Sequence, residues 1–77
     1  MPLTRPEQPM PPDIAERLEA AGLRPAYDAR PPYQRNDYLG WIGAAKRPET
    51  HEKRITQMLE ELEQGDVYMK MAWRTRP

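Results

Sequence analysis

At 77 residues, 38% of them hydrophobic and 31% charged, the chain can hold one small domain. Its stability should be modest, because so short a chain buries only about 60% of the surface its unfolded form exposes. With no cysteine and a single histidine it can build neither a disulfide framework nor a thiolate or Cys-rich metal centre, and twelve basic and twelve acidic residues cancel, leaving no net positive field for duplex DNA.

Residues 1–12, "MPLTRPEQPMPP", carry five of the ten prolines and read as an extended, flexible leader. A ligand for a proline-binding module is the alternative use of such a segment. No apolar run approaches the roughly 20 residues of a membrane span, and the N-terminus lacks the apolar core of a signal peptide. The expected compartment is the cytoplasm.

At "PPDIAERLEAAG" a helix begins. Asp13 and Glu16 have the form of a capping box, Ile14, Leu18 and Ala21 recur at i, i+4, i+7, and Gly22 offers a left-handed stop. A helix this short is marginal alone and must dock. Pro25 to Ala29 then fit one further turn carrying Tyr27, closed by Pro31 and Pro32.

From Pro32 to about Ala45 the pattern predicts a second main helix, with Tyr38, Leu39, Trp41, Ile42 and Ala45 on one stripe. It carries the bulkiest side chains and is the expected core-forming element. Gly40, Gly43 and Ala44 make a strip of small residues on its flank. Close approach of another helix of the same chain would explain them; a homodimer contact is the sharper alternative.

Pro48 breaks that helix and opens a third. Ile55, Met58, Leu59 and Leu62 form its apolar face, Gly65 ends it, Glu49 and Lys53 are spaced for an i, i+4 ion pair, and Glu60, Glu61 and Glu63 fall on the polar side. After it, Val67, Met69, Met71 and Trp73 alternate with Tyr68, Lys70 and Ala72, a period of two. This 67–77 tail is expected to lie extended across the helices, where it adds apolar area; the alternative is an exposed strand that joins a partner's sheet, anchored by Met69, Met71 and Trp73. The fold class is thus all-α: a small helical bundle of three main helices plus a short turn over residues 13–66, with extended N- and C-terminal segments.

The stretch "PPYQRNDYLGWIGAAKRPETHEKRITQMLEELEQGDVYMKM" resembles the bacterial OmpD-associated, or bacteriocin-protection, family, also labelled YdeI or OmdA. The resemblance rests on Tyr38-Leu39, Trp41-Ile42, the run from Ala45 to Thr50, and Lys53-Arg54-Ile55. It covers roughly residues 11–73 and corresponds to the helical module that follows a separate domain in longer members. His51 stands where the family pattern usually has arginine. The resemblance implies a setting of bacterial stress or bacteriocin protection and brings no catalytic residues.

The inventory of side chains argues in the same direction. There is no serine, no cysteine and no glycine-rich phosphate loop, so nucleophile–base pairs of the usual kinds cannot be assembled and an enzyme is not expected. No cofactor or metal is expected. Lys46, Arg47, His51 and Arg54 gather at the break before the third helix, whose first N–H groups lack intrahelical partners, and together they suggest a grip on an anion or an acidic partner. The plainer reading makes the same residues architectural, with Arg54 paired to an acidic residue such as Asp37 and Lys46 stabilising a helix C-terminus. Trp41 and Tyr38 are expected in the core. The expected function is binding of another protein; the runner-up is a small nucleic-acid-associated regulator that uses the Lys46–Arg54 surface, against which stand Glu49 and Glu52 at the start of the would-be recognition helix.

Overall fold

The computed structural model describes residues 9–72, and of Ala72 only the backbone. Its helices begin where prolines put them. α1 (Pro12–Ala21), α3 (Pro32–Gly43) and α4 (Pro48–Gln64) each start on a proline, and the short α2 (Arg24–Asp28) has Pro25 as its second residue. A proline pushes the residue before it out of the helical region. Pro11 (φ −67°, ψ 142°), Pro31 (φ −58°, ψ 151°) and Arg47 (φ −108°, ψ 144°) accordingly adopt the extended geometry of an N-cap residue. None of the four helices has a side-chain cap bond, so Asp13 does not cap α1 in the expected box. It sits inside the first turn because Pro12 has already started the helix.

Two glycines end helices as their position predicts. Gly22 (φ 70°) closes α1 with a Schellman pair, its N–H donating to the Glu19 carbonyl at 3.1 Å and that of Leu23 to Leu18 at 2.9 Å. Gly65 (φ 85°) closes α4 with a single bond from its N–H to the Glu61 carbonyl at 2.9 Å.

α3 stops at Gly43, two residues short of the expected end. Once Pro48 forces Arg47 into extended geometry, the chain needs Ala44 to Lys46 to turn the corner, and Ala45 leaves the helical stripe. A Cβ built on Gly43 would meet nothing within 4 Å, so close approach of another helix of this chain does not account for that glycine.

The architecture is all-α, and α4 is its centre: α1, α2 and α3 all pack on it. The core consists of Ile14 and Leu18 from α1, Tyr27 from α2, Tyr38, Leu39 and Ile42 from α3, and Ile55, Met58 and Leu62 from α4. Each such side chain contributes about 1.5–3 kcal/mol when fully buried. Trp41 and Leu59 pack against this cluster at its rim rather than within it. The stripe therefore turns inward as expected at Tyr38 and Ile42, with Trp41 displaced to the edge.

Past Gly65 the period-two segment does not run on as one extended piece. Val67–Tyr68 (β1) and Met71–Ala72 (β2) pair antiparallel, Val67 opposite Ala72 and Tyr68 opposite Met71, as a hairpin of two residues a side, whose β1 rests on α4. The turn residues Met69 (φ 50°) and Lys70 (φ 63°) are both left-handed, as in a type I′ turn, a geometry that usually selects Asn-Gly. Trp73 lies outside the described residues.

Candidate functional site

The corner between α3 and α4 places two of the expected site residues, Arg54 and His51, by local chemistry. A helix C-terminus leaves carbonyls unpaired and carries partial negative charge, so cations are drawn to it. Arg54 reaches back from α4: its Nη1 donates to the Trp41 carbonyl at 2.6 Å, and its guanidinium carbon stands 5.2 Å from the centroid of the Trp41 ring. His51 lies one turn earlier, with Nδ1 3.2 Å from the Ile42 carbonyl and Nε2 3.1 Å from Asp13 Oδ2. It therefore ties the end of α3 to the start of α1. The hydrogen bond from His51 is the largest influence on the Asp13 carboxyl and holds it below the usual carboxylate range.

Lys46 and Arg47 behave differently. Both are exposed, at the start of an α4 that has no side-chain cap, and Lys53 is exposed one turn further on. So the structure brings the four corner side chains into one region but divides them: His51 and Arg54 turn inward to bind backbone and carboxylate, while Lys46 and Arg47 face solvent. The suggested Arg54–Asp37 pairing is replaced by the bonds to Trp41, and Asp37 instead accepts from the Tyr68 hydroxyl at 2.6 Å. No ion pair among the described residues joins Glu49 to Lys53; Glu52 pairs across helices with Arg17.

At the tail, Met69 is half-buried against the core and Met71 is 60% exposed. The rings of Tyr33, Tyr68 and Tyr38 form a chain of edge-on contacts, with centroids 6.0 Å apart for Tyr33–Tyr68 and 5.5 Å for Tyr38–Tyr68.

Beneath the hairpin lies a constellation built on Glu61. This glutamate, expected on the solvated side of α4 with Glu60 and Glu63, is 4% exposed. Its Oε1 accepts from the Tyr38 hydroxyl and from the Met69 N–H at 2.7 Å; its Oε2 accepts from Gln57 Nε2 at 3.0 Å and the Lys70 N–H at 2.9 Å. Two donors on each oxygen match the roughly four lone-pair sites of an ionised carboxylate. The two backbone donors are those of the left-handed turn residues, so Glu61 holds the turn in a conformation that costs an L-residue about 1–2 kcal/mol per position. Arg30, also 4% exposed, donates through Nη2 to the Glu61 carbonyl at 3.0 Å and through Nη1 to Gln34 Oε1 at 3.0 Å.

The model of the family described as OmdA, bacteriocin-protection, YdeI or OmpD-associated, matches residues 7–65. The chain belongs to the OmdA family. No curated protein and no solved structure gives a further match. The span matched in this OmdA chain contains all four helices and Glu61 and stops at Gly65, before the hairpin.

In the OmdA chain the Glu61 carboxylate accepts from four donors and so fixes the hairpin turn against α4. Its neighbour Tyr38 carries the consequence. Burial first, and then the hydrogen bond to Glu61, push the Tyr38 hydroxyl far above the ordinary tyrosine range. An unfolded tyrosine ionises near pH 10, whereas the folded Tyr38 keeps its proton to higher pH. Its contribution to stability is therefore complete below about pH 10 and is lost progressively as the pH climbs beyond that value. Urea midpoints measured up a pH series should fall above about pH 10 more steeply for the wild type than for Tyr38→Phe; parallel curves would remove Tyr38 as the cause. No group of three His, Asp or Glu side chains suited to a metal ion occurs among the described residues, and none of their helices is long and apolar enough to cross a membrane.

Nothing in the sequence sets Glu61 apart: it flanks the α4 apolar arc three residues after Met58, but Glu63, four residues after Leu59, flanks it equally and is exposed. Nor does anything mark Arg30, Gln34 or Asn36, all buried at the start of or just before α3.

Proposed function

We propose that this chain works by binding another protein and performs no chemistry of its own, in the bacteriocin-protection setting that the family's description names. The observation that carries this reading is where exposed apolar area remains. Among the described residues the large hydrophobic side chains classed as exposed are Tyr33, at 47%, and Met71, at 60%, and both adjoin Tyr68: one through its ring edge, the other as its cross-strand neighbour. Apolar and aromatic groups left together at the surface are the usual centre of a protein contact. The hairpin that displays Met71 is held by Glu61 in a fixed shape, which reduces the ordering cost of binding.

The exposed Lys46, Arg47 and Lys53 support a second use, contact with nucleic-acid phosphates. One experiment separates the two. A photo-crosslinking residue placed at Tyr33 or at Met71 of the full chain, expressed in its native cell, should yield a discrete protein adduct that the same residue at Ala20 does not. Equal labelling from all three positions would count against the hairpin surface. Retention on nucleic acid at physiological salt, abolished by neutralising Arg47 and Lys53, would overturn the protein-binding reading.

A further inference from the structure

The single histidine sits where three helices meet, and both nitrogens of its ring face oxygen. Nδ1 of His51 lies 3.2 Å from the Ile42 carbonyl at the end of α3, and Nε2 lies 3.1 Å from Asp13 Oδ2 in the first turn of α1. Neither oxygen can supply a hydrogen: a carbonyl only accepts, and so does an ionised carboxylate. A neutral imidazole carries one N–H, so it satisfies one of these oxygens and must turn a lone pair on the other. The charged ring donates to both. The geometry is therefore that of an imidazolium clamped between two acceptors.

We propose that His51 is a proton-operated latch: charged, it fastens the first turn of α1 to the corner between α3 and α4; neutral, it lets that turn go. Which contact ends on proton loss follows from exposure. The Asp13 side chain is 59% exposed and can turn to water at little cost, whereas the Ile42 carbonyl belongs to a residue buried in the core. The remaining proton therefore stays on Nδ1, and Asp13 leaves. The body of α1 stays docked through the buried Ile14 and Leu18. The switch thus acts on the first turn alone, where the proline-rich leader joins the fold.

The surroundings leave the histidine as the group that changes. Along the same seam α1 contributes Asp13, Glu16 and Arg17 and α4 contributes Glu52, and Arg17 pairs with Glu52. The last turn of α3, Gly40 to Gly43, carries no titratable side chain. Around the corner stand Lys46, Arg47, Glu49 and Lys53, all exposed, and Arg54, which is turned to the Trp41 carbonyl. Carboxyl groups ordinarily titrate below about pH 5 and Lys and Arg above about pH 8, with histidine between them. The Asp13 carboxyl is held lower still by its hydrogen bond to His51, so it remains ionised at the acid end of that window. The latch is closed near the acid end and opens as the pH rises through the window.

The test uses the full chain, isotope-labelled for NMR, at about pH 5.5 and about pH 8. The ring nitrogens of His51 should both carry hydrogen at the lower pH, and Nδ1 alone at the higher. Nuclear Overhauser contacts between the ring and the Asp13 side chain should be present at the lower pH and lost at the higher, with the amide resonances of residues 13–15 following the same transition. Thermal unfolding gives a second readout through His51→Gln, whose amide keeps a donor that does not change charge. The melting-temperature advantage of the wild type over this variant should be about 1–5 °C larger at the lower pH, the scale of a partly exposed ion pair in so short a domain. Asp13→Ala should remove that pH dependence. Ring–Asp13 contacts that persist at the higher pH overturn the proposal, as does a ring with one hydrogen at the lower pH. An advantage over His51→Gln that is the same at both pH values also overturns it. Should either variant fail to fold, the wild-type spectra decide. None of these results bears on crosslinking from Tyr33 or Met71.

Discussion

Replacing Glu61 with alanine should destabilise the protein by about 3–5 kcal/mol, a large part of what a domain of this size possesses. The substitution strands the Tyr38 hydroxyl, the Gln57 amide and the N–H groups of Met69 and Lys70, all of which now end on one carboxylate. A buried donor left without a partner costs about 1–3 kcal/mol, and the part-buried ones recover some of that from water. The two left-handed turn residues would also lose what holds them. A melting temperature at least about 12 °C below wild type is expected, since about 1 kcal/mol corresponds to about 4–8 °C in a domain this short. Glu61→Gln should fall between the two, because its amide nitrogen would point a donor at donors. If the alanine variant melted within about 2 °C of the wild type, the carboxylate would be ornamental and the hairpin would be held by other means.

What could be read from the sequence divides along a physical line. Prolines and glycines act through backbone geometry that no tertiary contact needs to supply, so the starts at Pro32 and Pro48 and the stops at Gly22 and Gly65 were legible in advance, whereas the start at Pro12 was hidden behind the apparent Asp13 capping box. Apolar periodicity gave the core residues for the same reason: the side chains of Ile14, Leu18, Ile42, Ile55, Met58 and Leu62, and the ring of Tyr38, are best placed against one another. Polar residues have many. Periodicity assigns Glu61, Arg30 and Gln34 to solvent by default, and only the assembled fold shows their partners: Arg30 donates to the Glu61 carbonyl and the Gln34 amide oxygen, and the Glu61 carboxylate accepts from the Tyr38 hydroxyl. The hairpin was hidden by its turn, because Met-Lys lacks the Gly or Asn that normally announces positive φ; the strain is supported from Glu61, several residues back in the chain. At the corner, composition located the Lys, Arg and His side chains, but the inward turn of His51 and Arg54 depends on where the carbonyls of Trp41 and Ile42 come to rest.

Tyr38 and Trp41, two of the three aromatic residues of α3, should separate sharply on truncation. Tyr38 is fully buried, stands edge-on to Tyr68 at 5.5 Å and bonds to Glu61, so Tyr38→Ala should cost about 3–5 kcal/mol and leave little folded protein. Trp41 is the larger side chain, and size alone would rank it first. It lies at the rim, however, with one face given to Arg54. That stacking is worth about 0.5–1 kcal/mol at such a site, and the hydrogen bond from Arg54 goes to the Trp41 backbone carbonyl, which alanine retains. Trp41→Ala should therefore cost about 1–2 kcal/mol and remain cooperative in urea. Tyr38→Phe serves as the control for the hydroxyl, expected at about 1–2 kcal/mol because it leaves Oε1 of Glu61 with the Met69 N–H alone. Equal losses from Tyr38→Ala and Trp41→Ala would mean that the stripe is rotated, placing Trp41 in the core. Arg54 would then have no ring to rest on, and the corner that sets α3 against α4 would have to be held by His51 and its bond to the Ile42 carbonyl.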